Sequence, residues 1–259
     1  METGQTILSR RSTMPSPQPS DTPLPPGFAL PQSVIGALPL HGVTILAVED
    51  SRYACEALRL ISQRAGARLR RAETLASARA HLRVYRPDVV IIDLGLPDGR
   101  GETLIRELAL AKQRPLAIFG TSGNPAGRAS ALASGAEGFL DKPLESFVTF
   151  CETLRSYLPG LAPAFVDDAA IHPDPLALRD DLSRAATALF ADPDAAGRRY
   201  LTGFVLGLAH HAHDTALARA ARDASLTNSG DLNDLRTLLD ARLTSAKQSA
   251  AFAGKPESI

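Results

Sequence analysis

The sequence predicts an α/β fold with a five-stranded parallel sheet, followed by a small all-α module. Between about residues 42 and 160, five short apolar runs alternate with five stretches of helical period. This alternation is typical of parallel strands whose connecting helices cover both faces of the sheet. Prolines crowd the residues before this region, and only helical patterns follow it. We therefore predict a disordered proline-rich tail over 1–40, the α/β domain over 42–160, a helical module over 161–250 and a disordered tail over 251–259.

The composition narrows the classes of protein to be considered. The 259 residues include 28 basic and 28 acidic side chains, and this balance does not favour a generally basic nucleic-acid binder. Cys55 and Cys151 are too few for a disulfide framework and fit a reducing interior. The sequence has no run of about 18 apolar residues, which would suit a membrane span, and no apolar segment typical of a signal peptide. A cytoplasmic protein without membrane association is expected.

The predicted strands are short runs of apolar or β-branched residues. The run 88–93 is the clearest, because four consecutive residues in it are Val or Ile, whereas 68–71 is weak because three of its four residues are Arg. The other three strands are predicted at 43–48, 116–119 and 138–140.

The helices between these strands are predicted from apolar residues spaced three or four apart. Residues 51–65 show this spacing at Cys55, Leu58, Ile61 and Ala65. Further helices are predicted at 74–85, 102–111, 126–134 and 144–158. The fourth of them should be short, because Gly-Asn-Pro-Ala-Gly occupies 123–127, where a regular helix would begin.

Polar side chains mark the carboxyl ends of four predicted strands, and ligands of parallel α/β sheets bind at this edge. They are Glu49, Asp50, Asp93, Thr121, Ser122 and Lys142. Three converging carboxylates repel one another, so the cluster favours a divalent cation, and Mg²⁺ suits oxygen ligands with a phosphate partner. A carboxylate can accept a phosphoryl group while an ammonium neutralises its charge. A hydroxyl that bonds the phosphate only after transfer would act as a switch.

These motifs, taken in order, resemble the receiver domain of bacterial two-component response regulators. The resemblance covers about 42–160, under half of the chain, and also includes the turn 93–101 and Phe-Leu-Asp-Lys-Pro at 139–143. It implies a flavodoxin-like, doubly wound five-stranded fold, a Mg²⁺ cofactor, and a histidine kinase or histidine phosphotransfer protein as phosphodonor. The domain would be a phosphoacceptor that catalyses its own phosphorylation and slow dephosphorylation, rather than an enzyme by role.

The resemblance also implies which residues would hold the phosphoryl group and the metal. Asp93 matches the phosphoacceptor, and Asp50 matches the direct Mg²⁺ ligand. Glu49 matches a neighbour that acts largely through water, and the backbone carbonyl of Gly95 matches a further ligand. Considered singly, Asp93 would also suit a helix N-cap, and the acidic pair a solvated turn.

Four further residues match the switching and phosphate-binding positions. Lys142 matches the phosphate-binding lysine, Pro143 the cis-proline, Thr121 the switch hydroxyl and Phe139 the switch aromatic. Each also has a simpler interpretation: Lys142 as a surface lysine, Thr121 as a helix cap, and Phe139 as a buried strand aromatic.

The C-terminal hundred residues are predicted to form three helices, at 174–190, 193–224 and 232–247. The centre of the second, 200–209, is apolar nearly all round, so it should be buried or packed against a partner. Three helices can close a bundle, alone or across a homodimer. Ten basic and thirteen acidic residues from Gly160 onward leave a charge of −3, and no basic recognition helix is evident.

The cluster His210-His211-Ala212-His213-Asp214 allows three interpretations. His210 and Asp214 have metal-ligand spacing, Leu208-Ala209-His210 faintly resembles a histidine phosphotransfer motif, and a polar helix face is favoured over both. The sequence therefore predicts a response regulator that signals through protein–protein contacts of its helical module. The alternatives are a DNA-binding transcription regulator with an unrecognised output fold, and a receiver fused to a degenerate histidine phosphotransfer domain.

Overall fold

The structure is a computed structural model that describes residues 38–124, 126–144, 146–161, 171–226 and 232–253, with side chains as far as 245. Residues 1–37 of the predicted proline-rich tail therefore lie outside the described residues, and so do residues 254–259 of the predicted C-terminal tail. Among the described helices, none has the length and apolar character needed to span a bilayer.

A five-stranded parallel sheet forms the centre of the first domain, as predicted. Its strands are β1 (Thr44–Val48), β2 (Arg68–Ala72), β3 (Val89–Asp93), β6 (Ala117–Ser122) and β7 (Gly138–Asp141). They are ordered β2-β1-β3-β6-β7 in space, all parallel. A two-stranded antiparallel hairpin, β4 (Gly95–Leu96) with β5 (Gly99–Arg100), follows the central strand. All five residues of β3 are buried, which explains its continuous apolar run.

Five helices cover both faces of this sheet, so the doubly wound α/β fold is confirmed. They are α1 (Arg52–Arg64), α2 (Leu75–Val84), α3 (Gly101–Ala109), α4 (Gly127–Ala133) and α5 (Phe147–Arg155). One core cluster joins the sheet to α1 and α5 through residues such as Leu58 and Phe150. A second cluster joins the other face to α2, α3 and α4 through residues such as Ile105 and Ala131. Full burial of each large aliphatic side chain contributes roughly 1.5–3 kcal/mol.

Local sequence explains where these helices begin. Ser51 accepts a hydrogen bond from the backbone of Ala54 and caps α1, so this helix starts directly after the acidic pair. The fourth helix has seven residues and no side-chain N-cap, which confirms the short helix predicted from its Gly-rich and Pro-containing start.

Over the described residues 171–226 and 232–253, the C-terminal module is all-α, as predicted, but these residues form four helices rather than three. They are α6 (Pro175–Phe190), α7 (Ala195–His211), α8 (Thr215–Leu226) and α9 (Asn233–Ala253). The prediction of one helix over 193–224 is wrong. His213 adopts a φ of +53°, and Asp214 caps the next helix by accepting a hydrogen bond from Leu217 N at 3.0 Å.

The module packs on the edge of the sheet where the parallel strands end. Its core includes Leu189, Val205 and Leu235, and Tyr53 of α1 packs against this core from the first domain. Helix α6 contacts α1, and α7 contacts both α1 and β4. The nearly all-apolar centre of α7 is thereby explained, because the helix is covered on several sides by neighbouring elements.

Candidate functional site

Parallel strands bring the predicted site residues together at one edge of the sheet. Asp93 and Thr121 are register partners at the ends of β3 and β6. Glu49 and Asp50 directly follow β1, and Lys142 directly follows β7. The carboxyl ends of the three inner strands thus place one acid, one hydroxyl and one acidic pair side by side.

Three carboxylates form the centre of the site. Ligand oxygens of Glu49, Asp50 and Asp93 all lie within 4.8 Å of one another, and no other group of three or more potential metal ligands was found among the described residues. Glu49 and Asp50 are each 1% exposed and Asp93 is 8% exposed. So much buried negative charge requires a compensating cation.

Lys142 supplies part of that compensation. Its Nζ atom lies 2.7 Å from Asp93 Oδ2 and 2.6 Å from Glu49 Oε2, and its side chain is 6% exposed. Burial alone would lower the pKa of this ammonium, but the carboxylates of Asp93 and Glu49 outweigh burial and raise the pKa. Lys142 therefore stays protonated between the two acids.

One lysine does not balance three carboxylates. Burial raises the pKa of Glu49 to about 8, with Lys142 opposing the shift and the carboxylates of Asp93 and Asp50 adding to it. Burial likewise raises the pKa of Asp50 to about 6. Asp50 Oδ1 is buried and has no hydrogen-bond partner. An unpartnered carboxylate oxygen beside two other acids fits a hard divalent cation such as Mg²⁺.

The backbone around the acidic pair is held by two arginines. Arg71 of β2 donates hydrogen bonds to the carbonyl oxygens of Glu49 at 3.2 Å and Asp50 at 3.0 Å. Arg184 of α6 donates to the same Asp50 carbonyl at 2.9 Å. On the other side of the site, the backbone N–H of Gly95 donates to Asp93 Oδ1 at 3.2 Å. These bonds fix the positions from which the carboxylates extend.

The residues predicted to switch also lie at this edge. Thr121 is 2% exposed, and its hydroxyl has no hydrogen-bond partner. The ring of Phe139 is buried, 5% exposed, with the guanidinium of Arg128 centred 5.2 Å from its centroid. The peptide bond between Lys142 and Pro143 is cis.

The sequence did not point to three residues of the C-terminal module that reach the site. Tyr200 of α7 donates a hydrogen bond to Asp50 Oδ2. Burial raises the pKa of this phenol, and the Asp50 carboxylate raises it further, so the hydroxyl remains a donor. Arg184 and Asp181 of α6 contact the same loop. The one signal in the sequence was a tyrosine at the start of an apolar run.

A cavity of about 450 Å³ lies between the sheet edge and α7. Asp93 and Lys142 line one side of it, and Arg199, Thr202 and His211 line the other. The phosphoacceptor candidate therefore opens into a chamber whose second wall belongs to the helical module.

The residues of the histidine cluster lie in different surroundings. His211 lines the chamber, is 8% exposed, and has Nδ1 3.0 Å from Gly207 O. His210 instead lies against Gly123, where it makes a hydrogen bond with the backbone. Asp214 is paired with Arg242, with 2.6 Å between Oδ2 and Nε. The structure thus does not support a metal site formed by His210 and Asp214.

The comparison with protein families agrees with this geometry. Residues 45–150 match the response regulator receiver domain. This segment is a receiver domain. The match extends from β1 into α5 and so contains all the site residues on the sheet edge. It ends before the helical module.

Known proteins resemble the chain over a similar length. The KDP operon transcriptional regulatory protein KdpE of Escherichia coli is 34% identical over 99 residues, which cover 38% of this chain and 44% of KdpE. The virulence transcriptional regulatory protein PhoP of Salmonella typhimurium is 30% identical over 121 residues, covering 46% and 54%. The chain thus spans about half the length of these relatives. A response regulator structure from Chloroflexus aurantiacus is 25% identical, with a TM-score of 0.42, and the alignment covers 44% of this chain and 96% of that one.

Proposed function

We propose that the protein is a phosphorylation-operated switch of a two-component system. The receiver domain, over 42–160, would take a phosphoryl group onto Asp93 from a histidine kinase or a histidine phosphotransfer protein. The helical module, over 161–250, would pass the signal on through protein–protein contacts. The observation that carries this proposal is the meeting of Asp93 with Lys142, Thr121 and the acidic pair at one sheet edge.

The chemistry follows from the positions of these groups. A carboxylate oxygen of Asp93 would attack the phosphorus, and the P–N bond of a phosphohistidine donor would break with its electron pair leaving on the imidazole. Lys142 would neutralise charge on the transferred group. The carboxylates of Glu49, Asp50 and Asp93 and the carbonyl of Gly95 would hold Mg²⁺. Bound there, the ion supplies charge neutralisation and orientation.

The buried hydroxyl of Thr121 supports a switch. It lacks a hydrogen-bond partner and belongs to the register partner of Asp93. After transfer, this hydroxyl would donate to a phosphoryl oxygen, so a bond absent before phosphorylation would form. Phe139, which lies in the register position beside Gly120 on the neighbouring strand, would follow that movement.

The structure offers less support for the alternatives. The relatives named above are transcriptional regulators, but Arg198 of the helical module is engaged by Asp192 and by the carbonyl of Pro193. His210, the candidate for a relay, does not line the chamber that contains Asp93. Signalling through protein contacts therefore remains the proposal for the output.

The test is phosphorylation of the full chain by a small-molecule phosphodonor with Mg²⁺, read on a phosphate-affinity gel and by size-exclusion chromatography. The wild type should shift and Asp93→Ala should not. Asp98→Asn, in the turn after the same strand, is the control that should shift. Absence of a shift in folded, Mg²⁺-supplied wild type would contradict the proposal, and a change in elution would show that self-association is the output.

A further inference from the structure

A residue of helix α7 hydrogen-bonds one of the carboxylates that the proposed function assigns to the metal. The hydroxyl of Tyr200 donates its hydrogen bond to Asp50 Oδ2, whose other oxygen is the unpartnered Oδ1. The donated proton takes part of the negative charge of Oδ2 and leaves only Oδ1 open to a cation. Tyr200 thereby weakens Asp50 as a ligand while the module is docked.

Helix α6 fastens the module to the same loop. Asp181 is fully buried and accepts hydrogen bonds from Ser51 Oγ at 2.9 Å and from Tyr53 N at 3.0 Å. Arg184 bonds both Asp181 and the carbonyl of Asp50. A guanidinium beside Asp50 repels any cation that approaches it. Two contacts from one module thus act against a metal at this carboxylate.

The backbone of α7 approaches the loop after β6 very closely. A Cβ atom added at Gly123 would lie 3.0 Å from the Cα of Gly207, tighter than ordinary contacts. A Cβ atom added at Gly207 would meet nothing within 4 Å. A side chain at 123 would therefore require α7 to move by a few tenths of an ångström from this loop, which borders the chamber containing Asp93.

We propose that α6 and α7 form a cap over the phosphoacceptor site, in which Tyr200 competes with the divalent cation for Asp50. This inference rests on the proposed function of Asp93 and its metal. Because the cap and the cation favour different states of one carboxylate, each weakens the binding of the other by the same factor. Metal loading and phosphorylation would therefore loosen the cap.

Calorimetric titration of the full chain with Mg²⁺ tests the role of Tyr200. Tyr200→Phe keeps the ring and removes the hydroxyl, so Mg²⁺ affinity should rise roughly 10- to 100-fold, the range expected when a hydrogen bond to a charged group is released. Tyr53→Phe removes a hydroxyl from the same interface but not from Asp50, and its affinity should match that of the wild type. Unchanged or weaker Mg²⁺ binding by Tyr200→Phe would overturn the competition.

Hydrogen exchange tests the cap independently of the hydroxyl. Gly123→Ala should push α7 away, giving faster amide exchange at the receiver-facing residues of α7 and tighter Mg²⁺ binding. Gly207→Ala changes the opposite glycine without a clash and should do neither. Equal amide exchange and equal Mg²⁺ affinity in the two variants would contradict the proposed cap, because the contact between α7 and the loop would then have no effect on metal binding.

The two proposals fail in different ways. If wild type cannot be phosphorylated but Tyr200→Phe binds Mg²⁺ more tightly, the cap stands and the phosphoacceptor function is wrong. If Asp93 is phosphorylated while neither Tyr200→Phe nor Gly123→Ala alters Mg²⁺ affinity or exchange, the function stands and the cap is wrong.

Discussion

The ammonium of Lys142 and the carboxylate of Asp93 are joined across the end of the sheet, with 2.7 Å between Nζ and Oδ2. These residues are 49 positions apart in the sequence, and the strands that position them, β7 and β3, are not adjacent. The strand between them, β6, contributes Thr121. One lysine therefore serves both as the counter-ion of the resting site and as the candidate phosphate ligand.

Removing the charge of Lys142 should destabilise the fold, and Mg²⁺ should reverse part of the loss. Lys142→Gln leaves buried carboxylates without their partner, which costs about 3 kcal/mol in the free energy of unfolding. Urea denaturation with and without Mg²⁺ measures both effects. Lys112→Gln changes an exposed lysine and should have little effect in either condition. Equal stability of Lys142→Gln and wild type without Mg²⁺ would show that the ion pair does not hold the site together.

Replacing Thr121 by valine should leave the fold at least as stable while abolishing the switch. The buried hydroxyl has no partner, so its removal relieves a desolvation cost of about 1 kcal/mol or less. Thr121→Val should still accept phosphate on Asp93, yet the phosphorylated form should show no change in elution or amide exchange. A clear loss of stability in Thr121→Val would mean that the hydroxyl is bonded in the resting protein.

His211 should make stability fall in mild acid. Burial lowers the pKa of this imidazole to about 4, with Lys142 and the neighbouring His210 and His213 adding to the shift. The unfolded chain takes up this proton near pH 6.5. The contribution of His211 to the free energy of unfolding is therefore fully present above that pH and falls progressively towards pH 4. The loss approaches about 3 kcal/mol at most.

The measurement for His211 is the free energy of unfolding between pH 7.5 and 5. His211→Gln should lose less stability than wild type as the pH falls through this range, whereas His41→Gln, at an exposed position, should follow wild type. Parallel pH profiles for wild type and His211→Gln would show that folding does not lower the pKa of this imidazole.

Neutralising Asp214 should weaken the bundle modestly. Hydrogen bonds from Arg242, at 2.6 and 3.2 Å, lower the pKa of Asp214. Asn is also a good N-cap, so Asp214→Asn retains the bond from Leu217 N and removes mainly the ion pair. We expect a loss of about 0.5–1 kcal/mol near pH 7 that shrinks in high salt. For wild type, this contribution is present above the unfolded pKa and fades as pH falls through the lowered folded pKa. An equal loss of stability at low and high salt would show that the ion pair between Asp214 and Arg242 is not its source.

The receiver fold and its candidate site could be predicted because their signals are local. The apolar run ending in Asp93, the acidic pair after the first strand, and the Lys-Pro pair after the last strand each mark a strand end. Parallel pairing then brings all strand ends to one edge, whatever the packing details are. The short fourth helix was predictable for a similar reason, since Gly and Pro act on the backbone where they stand.

The helical module was harder to predict because helical periodicity does not report breaks that depend on a single residue's backbone. The pattern over 193–224 fits one helix, yet His213 turns the chain at positive φ and Asp214 caps the next helix. The docking of this module on the receiver domain could not be predicted from the sequence either. Tyr200 and Asp50 are 150 positions apart, and a lone tyrosine in an apolar run gives no hint of its partner.

By itself, the sequence determined the order of strands and helices in the receiver domain and the chemistry of the sheet edge. These depend on the period of apolar residues and on which polar residues follow each strand. Only the tertiary structure decided that α6 and α7 cover that edge, with Tyr200 on Asp50 and Gly123 against Gly207. That arrangement depends on the shapes and hydrogen-bond donors of two surfaces that are distant in sequence, so no local pattern reports it.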